Sequence, residues 1–367
     1  MKPAPRLEID LDKIYQNAYT LVDRLGHRGI SVTGVTKATL GSPEIAGALV
    51  RAGVSMIGDS RMENIEAMSR AGVKVPMMLI RSPMISDAQR VVRYADLSLN
   101  SELDVIRELS CAAKEVGRRH GVVLMVELGD LREGIMPVDL EHTVGSMLGM
   151  SNIDLKGIGA NLACQCGVSP DISNMNQLSA LVGTVEAAFG IALDIVSGGN
   201  SANLNWALSG ADTGRINNLR LGESVLLGCE PLHRELIDGL YSDAITLVAE
   251  VIESKIKPSQ PWGQIAQAAF GEKAPAADRG NIAQAILAIG RQDVDPDGLE
   301  NRTGIEIIGA SSDHLIIDCG QLSLQVGAEV RFRLNYSAMV RAMTSPFVTK
   351  VLGASSTPDL APALRCL

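Results

Sequence analysis

The stretch SVTGVTKATLGSPEIAGALVRAGVSMIGDS (31–60) sets the pattern that most of the chain follows. It predicts a strand over 31–37, a helix over 43–53 and a second strand over 55–60. The helix has apolar residues on one face and ends at Gly53, a residue type that is common at helix C-caps. The repeating unit is therefore a strand, a helix and another strand.

The same alternation continues as far as residue 228. Further strands are predicted over 75–81, 95–100, 122–129, 155–163, 193–199 and 218–228. Helical patterns lie between most of them, for example over 101–117, where Ser101 is a candidate N-cap. Eight strands with seven or eight intervening helices match the number in a TIM barrel, and a doubly wound open sheet is the competing architecture.

Polar residues at the carboxyl ends of the strands favour the barrel. They are Lys37, Asp59, Arg81, Asn100, Asp130, Asn161 and Ser201. In a barrel these strand ends share one rim, so the side chains converge on one site, whereas an open sheet would scatter them. We therefore predict an α/β fold with a (β/α)8 TIM-barrel domain over 12–238.

The pattern changes after residue 240. Strands are predicted over 244–255, 261–270, 281–290, 304–319 and 327–336, with turn sequences such as PDG and GASS between them. These segments predict a mainly-β C-terminal domain over 239–352. A disordered tail is predicted over 353–367.

Composition and charge exclude several classes of protein. The 367 residues include 33 Lys and Arg against 42 Asp and Glu, and aromatic residues make up only 3%. This acidic balance argues against nucleic-acid binding. The start MKPAPRLEID has no apolar signal segment, and no apolar run is long enough to span a membrane. The six cysteines are scattered without a CxxC pair, so we expect a cytoplasmic protein with no metal site and no membrane partner.

Two motifs point to a cofactor. Lys37 ends an apolar strand at the predicted barrel mouth, where desolvation lowers a lysine pKa and favours the neutral amine that a Schiff base requires. Ser197–Ser201 (SGGNS) and Arg220–Glu223 (RLGE) belong to the seventh and eighth strands, whose loops commonly bind phosphate. Each motif alone has a simpler explanation: an exposed lysine for the first and a plain glycine-rich turn for the second. Together they suggest a phosphorylated carbonyl cofactor, pyridoxal phosphate.

Longer motifs resemble a known family. They are VTKATLGSPEIAGALVRAG with GDSRMENI, then ADLSLNSELDVI, VELGDLREGI, KGIGANLAC, IVSGGNSANL, NLRLGESVLLG, FGEK, AILAIGRQDVD and GASSDHLIID. From residue 7 to residue 350 the chain resembles the ornithine racemase branch of the alanine racemase family, whose members are fold-type III pyridoxal-phosphate enzymes. The resemblance implies a TIM barrel followed by a β domain, which the N-terminal strand, here 6–11, joins.

The resemblance also implies cofactor-binding residues. Lys37 would hold the cofactor covalently and move the substrate α-proton. Arg220 would face the pyridine nitrogen, with Asn161 where alanine racemases have a histidine bonded to that arginine. The other implied cofactor-binding residues are Ser197, Gly199, Asn200, Ser201, Gly222 and Glu223, of which Ser201 and Gly222 match phosphate-binding positions. An arginine cannot protonate the pyridine nitrogen, so the ring withdraws electrons weakly, which suits racemisation.

Substrate binding and assembly follow from the same resemblance. Arg132 resembles an arginine near the substrate carboxylate. Ser312 and Asp313 match a β-domain turn that meets the active site of the partner subunit. The implied assembly is a homodimer in which each β domain completes the site of the other subunit.

One departure from the family concerns the second catalytic acid/base. Alanine racemases place a catalytic tyrosine on the β domain, and the corresponding position here falls near Ala268. Racemisation by two bases needs a group on each face of the α-carbon. Cys164, at the end of the sixth strand, and His314, on the β-domain turn, are the two candidates, and the sequence does not choose between them.

The resulting hypothesis is a racemase of ornithine or another basic amino acid. Acidic loop residues are candidates for holding the distal ammonium of such a substrate; they are Asp130, Glu133, Asp293 and Asp295. Three alternatives stay open: a decarboxylase of the same fold type, a non-catalytic pyridoxal-phosphate protein and a cofactor-free binding module. A decarboxylase would carry a carboxylate at the ring nitrogen, and Glu223 lies only three residues from Arg220.

Overall fold

A computed structural model describes residues 3–271, 277–300 and 304–353. These residues form two compact units. One unit runs from Leu11 to Tyr241, and the other contains the residues up to Asp10 and those from Ser242 onward. Of the tail predicted over 353–367, all but Gly353 lies outside the described residues.

The first unit is a closed barrel of eight parallel strands, which follow an N-terminal strand, β1 (Arg6–Asp10). The barrel strands are β2 (Ser31–Val35), β3 (Met56–Asp59), β4 (Met77–Leu79), β5 (Leu97–Asn100), β6 (His120–Val126), β7 (Ile153–Ala160), β8 (Ile195–Gly199) and β9 (Asn218–Leu221). Each strand pairs with the next along the chain, and β9 pairs with β2 to close the barrel. The predicted TIM barrel is confirmed.

Helices separate the barrel strands. They are α1 (Leu11–Gly26), α2 (Pro43–Arg51), α3 (Met62–Arg70), α4 (Ala88–Tyr94), α5 (Leu103–Glu115), α6 (Leu140–Leu148), α7 (Ile172–Phe189), α8 (Leu204–Leu208) and α9 (Glu223–Leu227). Amphipathic sequences place the buried residues on one face, such as Ile14, Leu21 and Leu25 in α1. Short 3-10 turns at Lys37–Thr39 and Ser201–Asn203 follow β2 and β8 at the carboxyl rim.

Close contact between neighbouring barrel strands requires glycine at one position. A Cβ atom on Gly157 in β7 would lie 2.0 Å from the backbone oxygen of Ile195 in β8. Gly183, in contrast, lies in the middle of α7, and a Cβ placed there would meet no atom within 4 Å apart from its chain neighbours and the backbone of its own helix.

These two glycines give a matched stability prediction. We expect Gly157→Ala to lower the free energy of unfolding by about 3 kcal/mol or more, because the backbone of β8 must move. We expect Gly183→Ala to raise it by up to about 1 kcal/mol, because alanine favours a helix. Urea unfolding of both variants measures the difference, and equal stabilities would contradict the close β7–β8 contact.

The second unit is mainly antiparallel sheet with one helix. Its elements are β10 (Ile245–Pro258), β11 (Asn281–Leu287), β12 (Leu299–Glu300), β13 (Glu306–Ala310), β14 (Leu315–Asp318), β15 (Glu329–Leu334), α10 (Tyr336–Thr344) and β16 (Thr349–Gly353). The strand order is β12-β15-β10-β11-β14-β13, and β1 pairs with β10 and β16. The predicted mainly-β C-terminal domain is confirmed.

Three predicted strands differ from the structure. Residues 261–270 are not a strand: Trp262, at 83% exposure, and Ile265, at 68%, face solvent, and the segment contributes only the isolated bridge of Ala268 to Gly271. Alternation of apolar residues produces a strand only where a neighbouring strand pairs with it.

The other two differences concern boundaries. The predicted strand over 304–319 is the hairpin of β13 and β14. The predicted strand over 218–228 ends at Leu221, and SVLL belongs to α9. An apolar run that is buried on all sides has no period that separates strand from helix.

Candidate active site

The turn that carries Lys37 is held by a buried carboxylate. The Thr36 hydroxyl donates to Asp59 Oδ2 at 2.7 Å. Asp59 also accepts from Asn64 Nδ2 at 2.9 Å and from the Arg61 amide at 3.0 Å. Burial raises the pKa of Asp59, and these hydrogen bonds oppose that shift. Lys37 therefore begins its 3-10 turn at a fixed point of the rim, directly after β2.

Lys37 reaches solvent, yet protein atoms surround most of its length. This desolvation lowers the pKa of the Lys37 amine, and the positive charges of Arg132 and Arg220 act in the same direction. Cys164 and Asp59 act in the opposite direction. The four groups are thus close enough to Lys37 to shift its titration. A lowered pKa increases the fraction of neutral, nucleophilic amine.

Arg220 lies at the carboxyl end of β9 and is buried. Its Nη1 donates to Ser197 Oγ at 2.5 Å, and its Nη2 donates to the Ala160 carbonyl at 3.0 Å and to Asn161 Oδ1 at 3.1 Å. These three acceptors carry no formal charge. Burial lowers the pKa of Arg220 to about 10, so the guanidinium stays a cation at neutral pH.

Ser197 is fully buried and supports Arg220 instead of lining the mouth. Its hydroxyl donates to Asn218 Oδ1 at 2.9 Å, and Asn218 Nδ2 donates to Thr33 Oγ1 at 3.0 Å. Ser197 therefore joins Arg220 to the polar side chains inside the barrel, and its contact with the cofactor stays a prediction. Asn218 and Thr33 are not among the predicted site residues; both are polar residues inside predicted apolar barrel strands, and that pattern is the signal that marks them.

The loops after β7 and β8 are joined by amide side chains. Asn200 Nδ2 donates to Asn161 Oδ1 at 3.0 Å and to the Leu162 carbonyl at 2.9 Å. Asn161 Nδ2 donates to Cys164 Sγ at 3.1 Å. Asn200 Oδ1 also caps the following turn by accepting from the Ala202 amide at 2.8 Å. Asn161, Asn200 and Cys164 therefore belong to one network with Arg220.

Two helical turns begin side by side where the phosphate site is predicted. The hydroxyls of Ser201 and Ser224 lie 3.0 Å apart, and the Ser224 amide donates to Ser201 Oγ at 3.2 Å. Gly199 has a φ of 146°, a conformation that favours glycine, and a Cβ on Gly222 would lie 3.1 Å from Val35 Cβ. Backbone amides and hydroxyls at the start of two helical turns are the donors that suit a phosphate group. The residues present therefore fit this part of pyridoxal phosphate.

Glu223 is engaged with another residue. Arg234 Nη1 donates to Glu223 Oε1 at 3.0 Å, and burial raises the pKa of Glu223. Arg220, in contrast, lies next to the end of β7, where it donates to the Ala160 carbonyl and to Asn161 Oδ1. This geometry favours Arg220 over Glu223 as the partner of the ring nitrogen.

The acidic candidates for a distal ammonium are also engaged. Asp130 is fully buried and accepts four backbone amides, those of Cys164, Gln165, Cys166 and Val168. Asp130 as an ammonium ligand is therefore wrong, because its lone pairs are committed to a loop. Glu133 forms an ion pair with Arg132.

Asp293 and Asp295 lie in the β unit. Asp293 accepts from Ser345 Oγ at 2.7 Å, and Asp295 accepts from Ser337 Oγ at 2.5 Å. Both carboxylates therefore have structural partners within their own unit.

The β-unit residues singled out in the sequence share one turn. Ser312, Asp313 and His314 connect β13 to β14. His314 Nδ1 is 2.8 Å from Asp313 Oδ1, and this hydrogen bond lowers the pKa of Asp313. A Cβ on Gly290 would lie 2.4 Å from the Asp313 amide, so the turn is tightly backed.

Two findings concern membranes and metals. Over residues 3–271, 277–300 and 304–353, no helix combines the length and apolar character needed to cross a bilayer. Within those residues, no three His, Cys, Asp or Glu side chains group as metal ligands do.

Known proteins identify the family. The family model "Alanine racemase, N-terminal domain" matches residues 9–231. A lysine racemase of Thermotoga maritima is 38% identical over 95% of this chain and 98% of its own length. An ornithine racemase of Acetoanaerobium sticklandii is 39% identical over 95% of this chain and 99% of its own length. The chain belongs to the alanine racemase family, as its motifs predict.

Solved structures share the fold. The alanine racemase of a D-cycloserine-producing Streptomyces lavendulae superimposes with a TM-score of 0.74 at 18% identity, covering 97% of this chain and 98% of that one. A D-threonine aldolase of Filomicrobium marinum has a TM-score of 0.73 at 16% identity, covering 96% of this chain and 91% of that one. Since the second protein is named for a different reaction, the fold by itself does not fix the chemistry.

Proposed function

We propose that this protein is a pyridoxal-phosphate-dependent racemase that interconverts the L and D forms of a basic amino acid, with ornithine and lysine as the leading substrates. Two relatives that carry these names match almost the whole chain. The observation that carries the proposal is the placement of Arg220, a buried cation with uncharged acceptors, in the same cluster as Lys37.

Different residues of the barrel rim bind different parts of the cofactor. Lys37 provides the amine for the covalent link, and Ser201, Gly222 and Ser224 provide donors for the phosphate. Arg220 provides the group that meets the pyridine nitrogen. When bound, the cofactor supplies an electron sink that makes the substrate α-proton removable.

Arg220 is also the group that selects the reaction. An arginine donates hydrogen bonds but does not give up its proton at neutral pH, so it leaves the pyridine nitrogen without a proton. Beside a bound cofactor, Arg220 would therefore give a weaker electron sink than a carboxylate partner would, which suits racemisation. A fold-type III decarboxylase has a carboxylate at this place, which the Glu223–Arg234 pair does not provide.

The remaining roles concern the substrate and a second subunit. Arg132, in the same electrostatic cluster as Lys37, is proposed to bind the substrate carboxylate. Ser312 and Asp313 are proposed to serve the barrel of a partner subunit in a homodimer. The cytoplasmic location stays a prediction of the sequence.

A panel of L-amino acids tests the proposed activity. The holoprotein is incubated with each amino acid in heavy water, and deuterium at the α-carbon is measured by mass spectrometry. We expect rapid uptake with ornithine and lysine and little with alanine or glutamate. Uptake restricted to acidic or small amino acids would contradict the substrate class.

Mixing two inactive variants tests the homodimer. Lys37→Ala removes the reactive amine, and the double variant Ser312→Ala, Asp313→Ala removes the side chains of the turn. If sites are shared, a mixed dimer contains one site with neither defect, so we expect up to about one quarter of full activity to return, because half the dimers are mixed. Recovery is measured by chiral chromatography after a refolding step that exchanges subunits. Heterodimers that form without regaining activity would show that each turn serves its own barrel.

A further inference from the structure

Asp130 lies on the loop that follows β6. Its carboxylate accepts hydrogen bonds from the loop that follows β7. Its Oδ2 accepts from the amides of Cys164 at 2.9 Å and Gln165 at 2.8 Å. Its Oδ1 accepts from the amides of Cys166 at 3.1 Å and Val168 at 3.2 Å. Burial acts to raise the pKa of Asp130, and the four amides reverse this and keep it below its usual value. One ionised carboxylate therefore fixes the backbone that carries Cys164.

The Cys164 sulfur points into the cluster of catalytic groups. Its Sγ accepts from Asn161 Nδ2 at 3.1 Å and from Asn200 Nδ2 at 3.4 Å. Asn161 is bonded in turn to Arg220, and Cys164 interacts electrostatically with Lys37. Cys164 is also exposed, so its thiol is within reach of a small substrate.

We propose that Cys164 is the second acid/base of the racemase and that Asp130 is the residue that positions it. This inference rests on the proposed function. The barrel unit itself then contains two proton carriers, the Lys37 amine and the Cys164 thiol. His314 and Asp313 of the β-domain turn would serve substrate binding instead.

The proposed step conserves protons. One of the two groups, in its basic form, takes the proton as the α-carbon–hydrogen bond breaks. The other group, in its acidic form, gives its proton to the opposite face of the same carbon. After one turnover the two groups have exchanged protonation states, and exchange with water restores them. In the reverse direction their roles are reversed.

The Cys164→Ala variant tests the acid/base role. With Lys37 as the remaining carrier, one enantiomer of ornithine is expected to exchange its α-hydrogen with heavy water and keep its configuration. Inversion of both enantiomers is expected to fall by at least about 100-fold, and so is the hydrogen exchange of the other enantiomer. Proton NMR of the α-position with each enantiomer measures both quantities. Inversion at a rate close to that of the unaltered protein would overturn the proposal and leave His314 as the candidate.

Variants of Asp130 test the positioning role. Asp130→Asn and Asp130→Ala are expected to lower inversion with the same enantiomer asymmetry as Cys164→Ala, more strongly for alanine. Glu230→Gln is the matched control, because Glu230 is also buried and accepts three backbone amides, those of Leu232, His233 and Glu235. We expect Glu230→Gln to show no such difference between the two enantiomers. An equal, symmetric loss in the Asp130 and Glu230 variants would reduce Asp130 to a general structural role.

A measurement without turnover completes the test. Cysteines of the holoprotein are labelled with iodoacetamide, and the rate at Cys164 is divided by the rate at the exposed Cys111 on α5. We expect this ratio to differ from one in the unaltered protein and in Glu230→Gln. In Asp130→Ala we expect it to move towards one, with faster amide hydrogen exchange over 164–168. An unchanged ratio and unchanged exchange would contradict the positioning role.

The outcomes separate the two proposals. If the unaltered holoprotein racemises no basic amino acid, the proposed function fails. If it does racemise one and Cys164→Ala racemises it equally well, only the inference about Cys164 and Asp130 fails.

Discussion

Lys37→Ala is expected to abolish both the visible absorbance of the covalently bound cofactor and racemisation. The turn that carries Lys37 is held by the Thr36–Asp59 hydrogen bond, and desolvation lowers the pKa of its amine. An alanine provides neither the covalent link nor a proton carrier, so we expect activity to fall by more than about 10⁴-fold. Absorbance spectra and chiral chromatography of the same samples measure the two losses.

An exposed lysine provides the control for this variant. Lys114 lies near the end of α5, at the protein surface. Lys114→Ala is expected to keep the absorbance and the activity. Borohydride reduction of the unaltered holoprotein should attach the cofactor to the peptide that contains Lys37. Activity of Lys37→Ala comparable to that of the unaltered protein would end the cofactor hypothesis.

Arg220→Glu is expected to change which products form. A carboxylic acid at this place can protonate the pyridine nitrogen, which strengthens the electron sink and lengthens the life of the deprotonated substrate. Transamination should then rise relative to racemisation, by about 10-fold or more if the difference in stabilisation reaches about 1.4 kcal/mol. The ratio of keto acid to D-amino acid, measured from one reaction, reports this change.

A neutral variant separates charge from the loss of packing. Arg220 fills a buried position and donates to Ser197, Ala160 and Asn161, so any replacement leaves these acceptors without their donor. Arg220→Gln shares that defect and cannot protonate the ring. We expect both variants to racemise slowly and only the Glu variant to raise transamination. An unchanged product ratio in a Glu variant that still binds the cofactor would show that Arg220 does not face the ring.

The barrel was predictable because its strands and helices alternate with clear periods. The strand and helix patterns of 31–60 recur as far as residue 228, and the polar residues at the strand ends favour a barrel over an open sheet. The segment 261–270 was not predictable in the same way. Its alternating pattern resembles that of a strand. A strand forms only when it pairs with another strand, and the local pattern does not indicate which segment lies next to it.

The sequence predicted which residues lie together in the site better than it predicted what each of them contacts. Lys37, Asn161 and Arg220 do lie in one cluster of interacting groups. Ser197 was expected at the cofactor; it is fully buried, and its hydroxyl accepts from Arg220 Nη1. Asp130 was expected to meet a substrate and instead binds amides of a loop more than 30 residues away in sequence. Contacts between distant loops depend on the folded barrel and are not encoded in local spacing.

Conversion of ornithine from both enantiomers tests the central claim most directly. Purified holoprotein is given pure L-ornithine in one reaction and pure D-ornithine in another, and the enantiomers are separated by chiral chromatography over time. The two enantiomers have equal free energies in water, so a racemase must bring both reactions to a one-to-one mixture with no loss of total ornithine. We predict this convergence, and its absence in Lys37→Ala. Loss of the carboxylate as carbon dioxide, or no change in either enantiomer of ornithine or lysine, would contradict the account.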